Sequence, residues 1–322
     1  MYSFIQTWDI YHYFSYASQM LGGIKVAIEY PIGARFIILF PRLLTSDFNI
    51  YVLLFYLQTF LVALFGGYLI KRAGRNQWVY WAGVLLLFPL TFERLDLYVA
   101  VLILWSVLLF KSNKYFTSGL VLLVGILVKI YPVFILPFYL YKMFRNRVSS
   151  KPFIFMVLVG IIGIWGIFRD TYLMNFLSER SPQPESLFTL YFWFRNSIPD
   201  TIYAHNSIEY VKTPIDLYLS IVLGVTAVLG LLRAFRIKDI VVGAFYIILA
   251  VIIGGRTLSP QYLLWLVVFL PFIKRFNRLV VFSAIFVTMI YLGFYQQAVI
   301  EMTYPYFGFL LIRNIFLLLA MI

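Results

Sequence analysis

The sequence predicts an all-α protein, a polytopic transmembrane helical bundle with about eleven crossings, one interfacial juxtamembrane helix and one long outer loop. Of its 322 residues, 63% are hydrophobic and 12% are charged, and the mean hydropathy is +0.91. So little polar surface cannot cover a soluble globule. Apolar stretches run nearly from end to end, so we expect residues 1–322 to form a single integral membrane domain.

The formal net charge of +13 comes from short basic clusters that separate the apolar runs. This distribution indicates membrane topology and excludes a nucleic-acid partner, which would need one continuous basic face. Basic clusters mark cytoplasmic loops. The five clusters are Lys71, Arg72 and Arg75; Lys111 and Lys114; Lys142, Arg145, Arg147 and Lys151; Arg233, Arg236 and Lys238; and Lys274, Arg275 and Arg278.

The core helices are expected within residues 48–168, and an even number of crossings must separate neighbouring clusters. Residues 48–70 run inward, and residues 77–92 and 96–110 form a pair around an outer apex. The apolar run 116–141 measures about 39 Å as one helix, against a hydrocarbon core of about 30 Å. Two short helices that meet at Lys129-Ile130-Tyr131-Pro132 restore the parity, which places Lys129 on the outer side.

The remaining segments follow from the same parity. Residues 1–47 lie outside, and within them residues 31–44 are apolar but short and interrupted by Arg35, Pro41 and Arg42, as in an interfacial helix. Residues 169–213 form the long outer loop, and residues 214–322 supply the C-terminal helices with outer apices at 254–261 and 296–306.

In this topology, twelve of the thirteen acidic residues lie outside, and Asp239 is the exception. In one interpretation, more acidic residues lie outside simply because the outer loops are longer. In the other, acidic groups assemble a polar site on the outer side. Both interpretations remain open at this point.

Four carboxylates are candidates for such a site. Asp9 precedes an aromatic helix and Glu29 leads into a helix that begins near Pro31; alternatively Asp9 is a helix N-cap and Glu29 a solvated loop residue. Glu93 and Asp96 flank Arg94 at an outer apex, where Asp96 alternatively caps the following helix.

Candidate phosphate-binding groups lie in two other segments. A lysine at mid-membrane costs about 2.5 to 3.5 kcal/mol, so Lys129 should face a cavity or an anionic partner, unless it snorkels to the interface. Ser259 at an N-cap and Pro260 at N1 predict a helix start beside Arg256, and such a helix end suits a phosphate. The alternative is an ordinary capped helix with a snorkelling arginine.

The motifs together resemble those of the polyprenyl-phosphate-sugar-dependent integral-membrane glycosyltransferases of the C-type fold, most closely the mannosyltransferase-like family 87. The resemblance rests on five segments in order: Asp9-Ile10-Tyr11 with Glu29-Tyr30-Pro31; Asp96-Leu97; Gly119 with Lys129-Ile130-Tyr131-Pro132; Arg180 with Glu185-Ser186-Leu187; and Ser259-Pro260-Gln261-Tyr262-Leu263-Leu264-Trp265.

The resemblance implies that residues 1–47 form an outer catalytic loop and a juxtamembrane helix, with Asp9 at the catalytic carboxylate position. The expected function is transfer of a hexose, mannose-like, from a polyprenyl-phosphate sugar to a glycolipid or glycan acceptor in cell-envelope glycan synthesis. The active site would lie on the non-cytoplasmic side of the plasma membrane.

The chemistry needs a base for the acceptor hydroxyl and positive charge for the departing phosphate. We expect inversion of the anomeric centre with Asp9 as the general base. The donor phosphate would bind Lys129, Arg256 and Ser259. Sugar or acceptor groups would bind Glu29, Glu93, Asp96, Arg180, Glu185, Gln261 and Tyr262.

No cofactor is expected beyond the lipid-linked substrate, and the bilayer is the expected partner. His12 and His205 are isolated, and the chain has no cysteine, so nothing suggests a zinc site. A divalent cation held by Asp9, Glu93 and Asp96 stays open because hard cations favour carboxylates. A transporter or lipid-linked-glycan flippase, or a non-catalytic scaffold, is the alternative function.

Overall fold

A computed structural model describes residues 8–24, 26, 30–168, 214–255, 258–294 and 304–322. These residues form helices and connecting turns and contain no strand, in agreement with the predicted all-α bundle. The N-terminal helices are α1 (Trp8–Leu21), α2 (Ile32–Leu44), α3 (Phe48–Arg72), α4 (Gln77–Leu86), α5 (Phe88–Glu93), α6 (Asp96–Lys111), α7 (Tyr115–Val128), α8 (Leu136–Arg145) and α9 (Ser150–Phe168). The C-terminal helices are α10 (Pro214–Arg236), α11 (Ile240–Ile253), α12 (Leu264–Val267), α13 (Arg275–Phe294) and α14 (Tyr304–Met321).

The predicted turning points agree with the helix boundaries. The first predicted pair covers residues 77–92 and 96–110. Its first member is divided at Leu87 into α4 and α5, and its second member is α6. The long run 116–141 is divided into α7 and α8, because the helix stops at Val128 and a 3₁₀ turn follows over Tyr131–Ile135. Pro132 at the start of that turn lacks the N–H needed to continue the α7 ladder.

Two helices in the described part are long and apolar enough to cross a membrane, over Phe48–Arg72 and Arg275–Gly293. The shorter apolar helices cover Tyr115–Val128, Ser150–Gly166, Ile240–Ile253 and Pro305–Met321. The number of crossings therefore remains a prediction. The predicted outer loop 169–213 and most of the apex 296–306 lie outside the described residues.

The centre of the bundle contains α6, whose side chains from Leu97 to Leu104 are mostly buried, together with α11. The two helices pack against each other, and α6 also contacts α3, α7 and α12. Polar side chains between the helices are paired: the Thr59 and Tyr98 hydroxyls lie 2.9 Å apart. These contacts hold the two ends of α6 at fixed positions.

Helix α2 is buried on one face only. Ala34, Ile38 and Pro41 are buried, whereas Phe36 and Phe40 on the other face are exposed. At Gly33, an added Cβ would lie 2.6 Å from the Leu127 carbonyl oxygen, so the close crossing of α2 over α7 requires glycine. The one-sided burial fits the predicted interfacial helix, because the apolar outer face suits lipid.

Candidate functional site

The site begins with an ion pair between the ends of two neighbouring helices. Asp96 is the first residue of α6 and Lys129 follows the last residue of α7, and the two helices pack as an antiparallel pair. The Lys129 Nζ lies 2.7 Å from Asp96 Oδ1, and the Asp96 side chain is only 2% exposed. Asp96 is therefore the anionic partner that the position of Lys129 leads one to expect.

Aromatic rings enclose this ion pair. The Trp265 indole nitrogen donates to Asp96 Oδ1 over 2.5 Å. Trp265 stacks on Tyr131, with ring centroids 3.4 Å apart, and on Tyr262, with centroids 4.3 Å apart. The Lys129 ammonium is 5.4 Å from the Tyr262 ring and 5.5 Å from the Trp265 ring, within the range of a cation–π interaction.

Burial and the carboxylate act in opposite directions on Lys129. Burial is the largest single influence and disfavours the charged form, but Asp96, together with Tyr262 and Tyr30, more than offsets burial and raises the pKa of Lys129 above its usual value. Lys129 is therefore protonated at neutral pH. Since an ammonium carries three N–H donors and Asp96 accepts one of them, Lys129 can also bind a second acceptor.

A second ion pair lies beside the first. Asp9, in the first turn of α1, has its Oδ2 2.5 Å from an Arg94 guanidinium nitrogen, and the side chains are 18% and 29% exposed. The Tyr13 and Tyr30 hydroxyls are 3.2 Å apart. Arg94 acts to lower the pKa of both tyrosines, and both act to raise the pKa of Arg94. Asp96 also acts electrostatically on both Asp9 and Arg94, so the two ion pairs form one charged site.

Asp9 is a partly accessible carboxylate with an unusual proton affinity. Burial raises the pKa of Asp9, and Arg94 counteracts part of that effect by stabilising the ionised form. A carboxylate with a raised pKa that remains partly exposed is suited to accept a proton from a bound hydroxyl.

Glu93 is a third carboxylate at this end of the bundle. Its side chain is buried, and burial raises its pKa to about 7; Arg94 opposes this rise and Asp9 adds to it. Three buried polar atoms here, Glu93 Oε1, Arg94 Nε and the Tyr131 hydroxyl, have no hydrogen-bond partner among the described residues. Buried polar groups are nearly always paired, so these atoms mark where polar groups of a ligand or water would bind.

The structure brings together five of the predicted site residues: Asp9, Glu93, Asp96, Lys129 and Tyr262. Ser259 and Gln261 are half-buried on the chain segment that leads into Tyr262. The other predicted residues, Glu29, Arg180, Glu185 and Arg256, lie outside the described residues.

The predicted helix start at Ser259 and Pro260 is confirmed in position, but not in its details. Ser259 occupies the N-cap position, but its side chain makes no capping hydrogen bond, and the element it precedes is a four-residue 3₁₀ turn, Pro260–Leu263, followed by the short α12. So short a helix offers a weak dipole for a phosphate. The alternative interpretation of Asp96 as a helix cap also fails, because its carboxylate binds Lys129 and Trp265 instead.

Sequence reasoning did not assign a role to Arg94, Trp265 or Tyr131. Arg94 stands between the two apex acids, and Trp265 and Tyr131 belong to the motifs that contain Tyr262 and Lys129. A charged residue at a turn between two apolar helices was therefore a usable signal for Arg94. The indole–carboxylate contact had no local signal.

Within the described ranges, no group of three or more His, Cys, Asp or Glu side chains could hold a metal ion. Asp9, Glu93 and Asp96 thus do not form the carboxylate cluster that the divalent-cation alternative requires. Asp9 pairs with Arg94, and Asp96 pairs with Lys129.

The fold and the site define an apolar helical protein with a charged binding site at one end of its helices. The model of Glycosyltransferase family 87 matches residues 28–260, more than two thirds of the chain. The protein therefore belongs to glycosyltransferase family 87, a membrane-associated family, and is a glycosyltransferase. Comparison with curated proteins and with solved structures found no match.

The matched segment includes Glu93, Arg94, Asp96, Lys129 and Ser259, but it begins after Asp9. Family membership therefore covers the Lys129–Asp96 pair directly. The catalytic role of Asp9 depends on its contact with Arg94 and remains a proposal.

Proposed function

We propose that the protein transfers a hexose, mannose-like, from a polyprenyl-phosphate sugar to a glycolipid or glycan acceptor at the non-cytoplasmic face of the plasma membrane. The observation that carries this proposal is the neighbouring placement of the Asp9–Arg94 and Lys129–Asp96 pairs at one end of an apolar bundle. A sugar phosphate requires a cation beside the leaving group and a base beside the acceptor. This site offers both within one buried cluster.

In the proposed reaction, the acceptor oxygen attacks the anomeric carbon and its proton passes to Asp9. The bond from the anomeric carbon to the phosphate oxygen breaks, and its electron pair leaves with the phosphate. Attack opposite the leaving group inverts the anomeric centre. The raised pKa of Asp9 makes it a stronger base than an exposed aspartate once Asp9 is ionised.

The phosphate would bind the N–H donors of Lys129 and Arg94 that the two ion pairs do not occupy. Lys129 gives one N–H to Asp96, and the Arg94 Nε has no partner among the described residues. Arg256 and Ser259 remain proposed phosphate ligands. Glu29, Glu93, Asp96, Arg180, Glu185, Gln261 and Tyr262 remain proposed contacts of the sugar or the acceptor. Asp96 would have a second, indirect role as well, because it holds Lys129 in place.

The membrane context supports a lipid-linked donor. The exposed apolar face of α2 contains Phe36 and Phe40, and α2 packs on α1, which carries Asp9, and on α7, which ends beside Lys129. A donor anchored by its lipid in that layer would present its phosphate near the ion pairs. The C-type fold, the eleven crossings and the outward orientation of the site belong to the same proposal. Family membership favours an enzyme over the transporter, flippase or scaffold.

The test is transfer of labelled mannose from synthetic polyprenyl-phosphate mannose to a membrane lipid extract by purified protein. The variant Asp9→Asn should lose about two to four orders of magnitude in turnover, as expected for removal of a general base. Asp47→Asn is the matched control, because Asp47 is an exposed carboxylate that caps α3 through the Ile50 N–H.

Thermal unfolding of both variants checks that the fold is retained. Full activity of Asp9→Asn would refute the base assignment. If the wild-type protein moves no sugar from any of several polyprenyl-phosphate sugars, the donor class is wrong.

A further inference from the structure

A second concave site lies at the opposite end of the bundle from the charged cluster. This pocket has a volume of about 380 Å³ and lies between the C-terminal ends of α3 and α6, beside the 3₁₀ turn Leu270–Phe272. Asp96 begins α6 and Lys111 ends it, so a helix of about 22 Å separates the two sites. The volume falls within the range of small-molecule sites in proteins.

The pocket has a basic rim and an apolar floor. Arg72, Arg75, Lys111 and Lys114 line it, and no carboxylate is among the described lining residues. Its floor includes Leu69, Trp105 and Phe272. A ligand with an anionic group and an apolar portion would match both parts.

Two backbone turns place the cations at this pocket. Helix α3 ends in a turn in which Gly74 has φ +70° and the Arg75 N–H donates to the Ile70 carbonyl. Helix α6 ends in the same way, with Asn113 at φ 59° and the Lys114 N–H donating to the Leu109 carbonyl. Such turns satisfy the last carbonyls of a helix, so the Arg75 and Lys114 side chains are not needed to cap them.

The cations exceed the nearby negative charge. Lys111 pairs with Asp239 at 2.9 Å, and in the part of the chain that the structure describes no other carboxylate forms an ion pair with the four. Arg72 donates to the neutral Tyr68 hydroxyl. Favourable helix-end electrostatics and the positive-inside rule account for basic residues at this end, but neither requires a cavity with an apolar floor.

We propose that this pocket binds the phosphate headgroup of an anionic membrane lipid. The phosphate would lie among Arg72, Arg75 and Lys114, and the lipid chains would pass along the adjoining exposed face of α3, where Leu61, Leu64 and Tyr68 are exposed. Basic pockets between membrane helices bind such headgroups. None of the described residues proposed for sugar transfer lines the pocket, and with the proposed topology the pocket faces the cytoplasmic leaflet.

The test is native mass spectrometry of the delipidated full chain, titrated separately with phosphatidylglycerol and phosphatidylcholine. The double variant Arg72→Gln with Lys114→Gln should weaken phosphatidylglycerol binding about tenfold or more, because each basic residue near an anionic lipid contributes about 1 kcal/mol. The matched control is Arg145→Gln with Lys151→Gln: Arg145 also ends a helix and donates to a tyrosine four residues earlier, but neither residue lines the pocket.

The proposal requires phosphatidylglycerol to bind more tightly than phosphatidylcholine and the control variant to keep that preference. Equal weakening in both double variants would attribute binding to diffuse surface charge and overturn the pocket. Glycerol phosphate serves as the water-soluble probe: binding as tight as that of phosphatidylglycerol would overturn the lipid assignment.

Discussion

Lys129 and Asp96 form a buried ion pair at 2.7 Å although 33 residues separate them in the sequence. The pair joins the end of α7 to the start of α6. Trp265, from a distant part of the chain, donates a hydrogen bond to Asp96. Burying two charges is costly, so this contact contributes to stability only while both partners are present. It also fixes the position of the one ammonium group that the proposed donor phosphate would approach.

Replacing Lys129 by methionine should destabilise the protein by about 3 to 5 kcal/mol, because Asp96 is left as an uncompensated buried charge. The double variant Lys129→Met with Asp96→Leu should recover part of that loss. Unfolding in mixed micelles, monitored by tryptophan fluorescence, measures both effects.

The control is Lys111→Met, because Lys111 pairs with Asp239 while the two side chains are 47% and 40% exposed. An exposed pair contributes about 1 kcal/mol or less. Equal losses in the two single variants would show that the Lys129–Asp96 pair is not buried.

Replacing Arg94 by glutamine should shift the acid limb of the pH–rate profile to higher pH. Arg94 lowers the pKa of Asp9 against the larger effect of burial, so its removal raises that pKa further, and the base must be ionised to act. Sugar transfer measured across pH gives the shift, and Arg94→Lys should restore part of the original profile. An unchanged acid limb, with reduced turnover alone, would mean that Asp9 is not the group that titrates.

Glu93 should make the stability of the protein depend on pH. Its pKa is about 7 in the folded protein, against a usual 4.5, so folding favours the protonated form. The contribution is complete below pH 4.5 and is lost as the pH rises through 7.

The wild-type Tm should therefore fall more than that of Glu93→Gln between about pH 5.5 and about pH 8.5. Differential scanning fluorimetry in one detergent compares the two, with Asp47→Asn as a control that keeps the wild-type dependence. Parallel curves for wild type and Glu93→Gln would mean that Glu93 has an ordinary pKa.

Gly33→Ala should destabilise the crossing of α2 over α7. Its Cβ would lie 2.6 Å from the Leu127 carbonyl oxygen, and relieving that overlap should cost about 1 to 3 kcal/mol. Gly224→Ala is the control, because a Cβ there meets nothing within 4 Å and alanine in a helix stabilises by up to about 1 kcal/mol. A Tm that changes equally in both variants would contradict the close crossing.

The sequence predicted those features that depend on local pattern. Basic clusters, apolar run lengths and Pro132 located the turns around α6, α7 and α8, and parity placed Lys129 at the same end as Asp96. The contact from Trp265 to Asp96 spans 169 residues, and no local pattern specifies it. Ser259 and Pro260 correctly predicted a helix start, but not its length: Pro271 lies only eleven residues further on, and the chain there forms short helical turns.

The pairing of Asp9 with Arg94 was hidden for a similar reason. Each residue has a local explanation, as an acid in a first helical turn and as a basic residue at an apex. Only the packing of α1 and α3 beside α5 brings them together. Long-range packing, which sequence periodicity does not encode, therefore decides the composition of the site.

The exposed outer face of α2 has a kinetic consequence. A lipid-anchored donor that reaches the site past Phe36 and Phe40 would arrive by lateral diffusion in the membrane plane. Its encounter rate would therefore follow its mole fraction among the surrounding lipids. Adding inert detergent at constant donor concentration then slows the enzyme by surface dilution. For the proposed lipid-linked donor, bulk molarity would consequently be the wrong concentration scale.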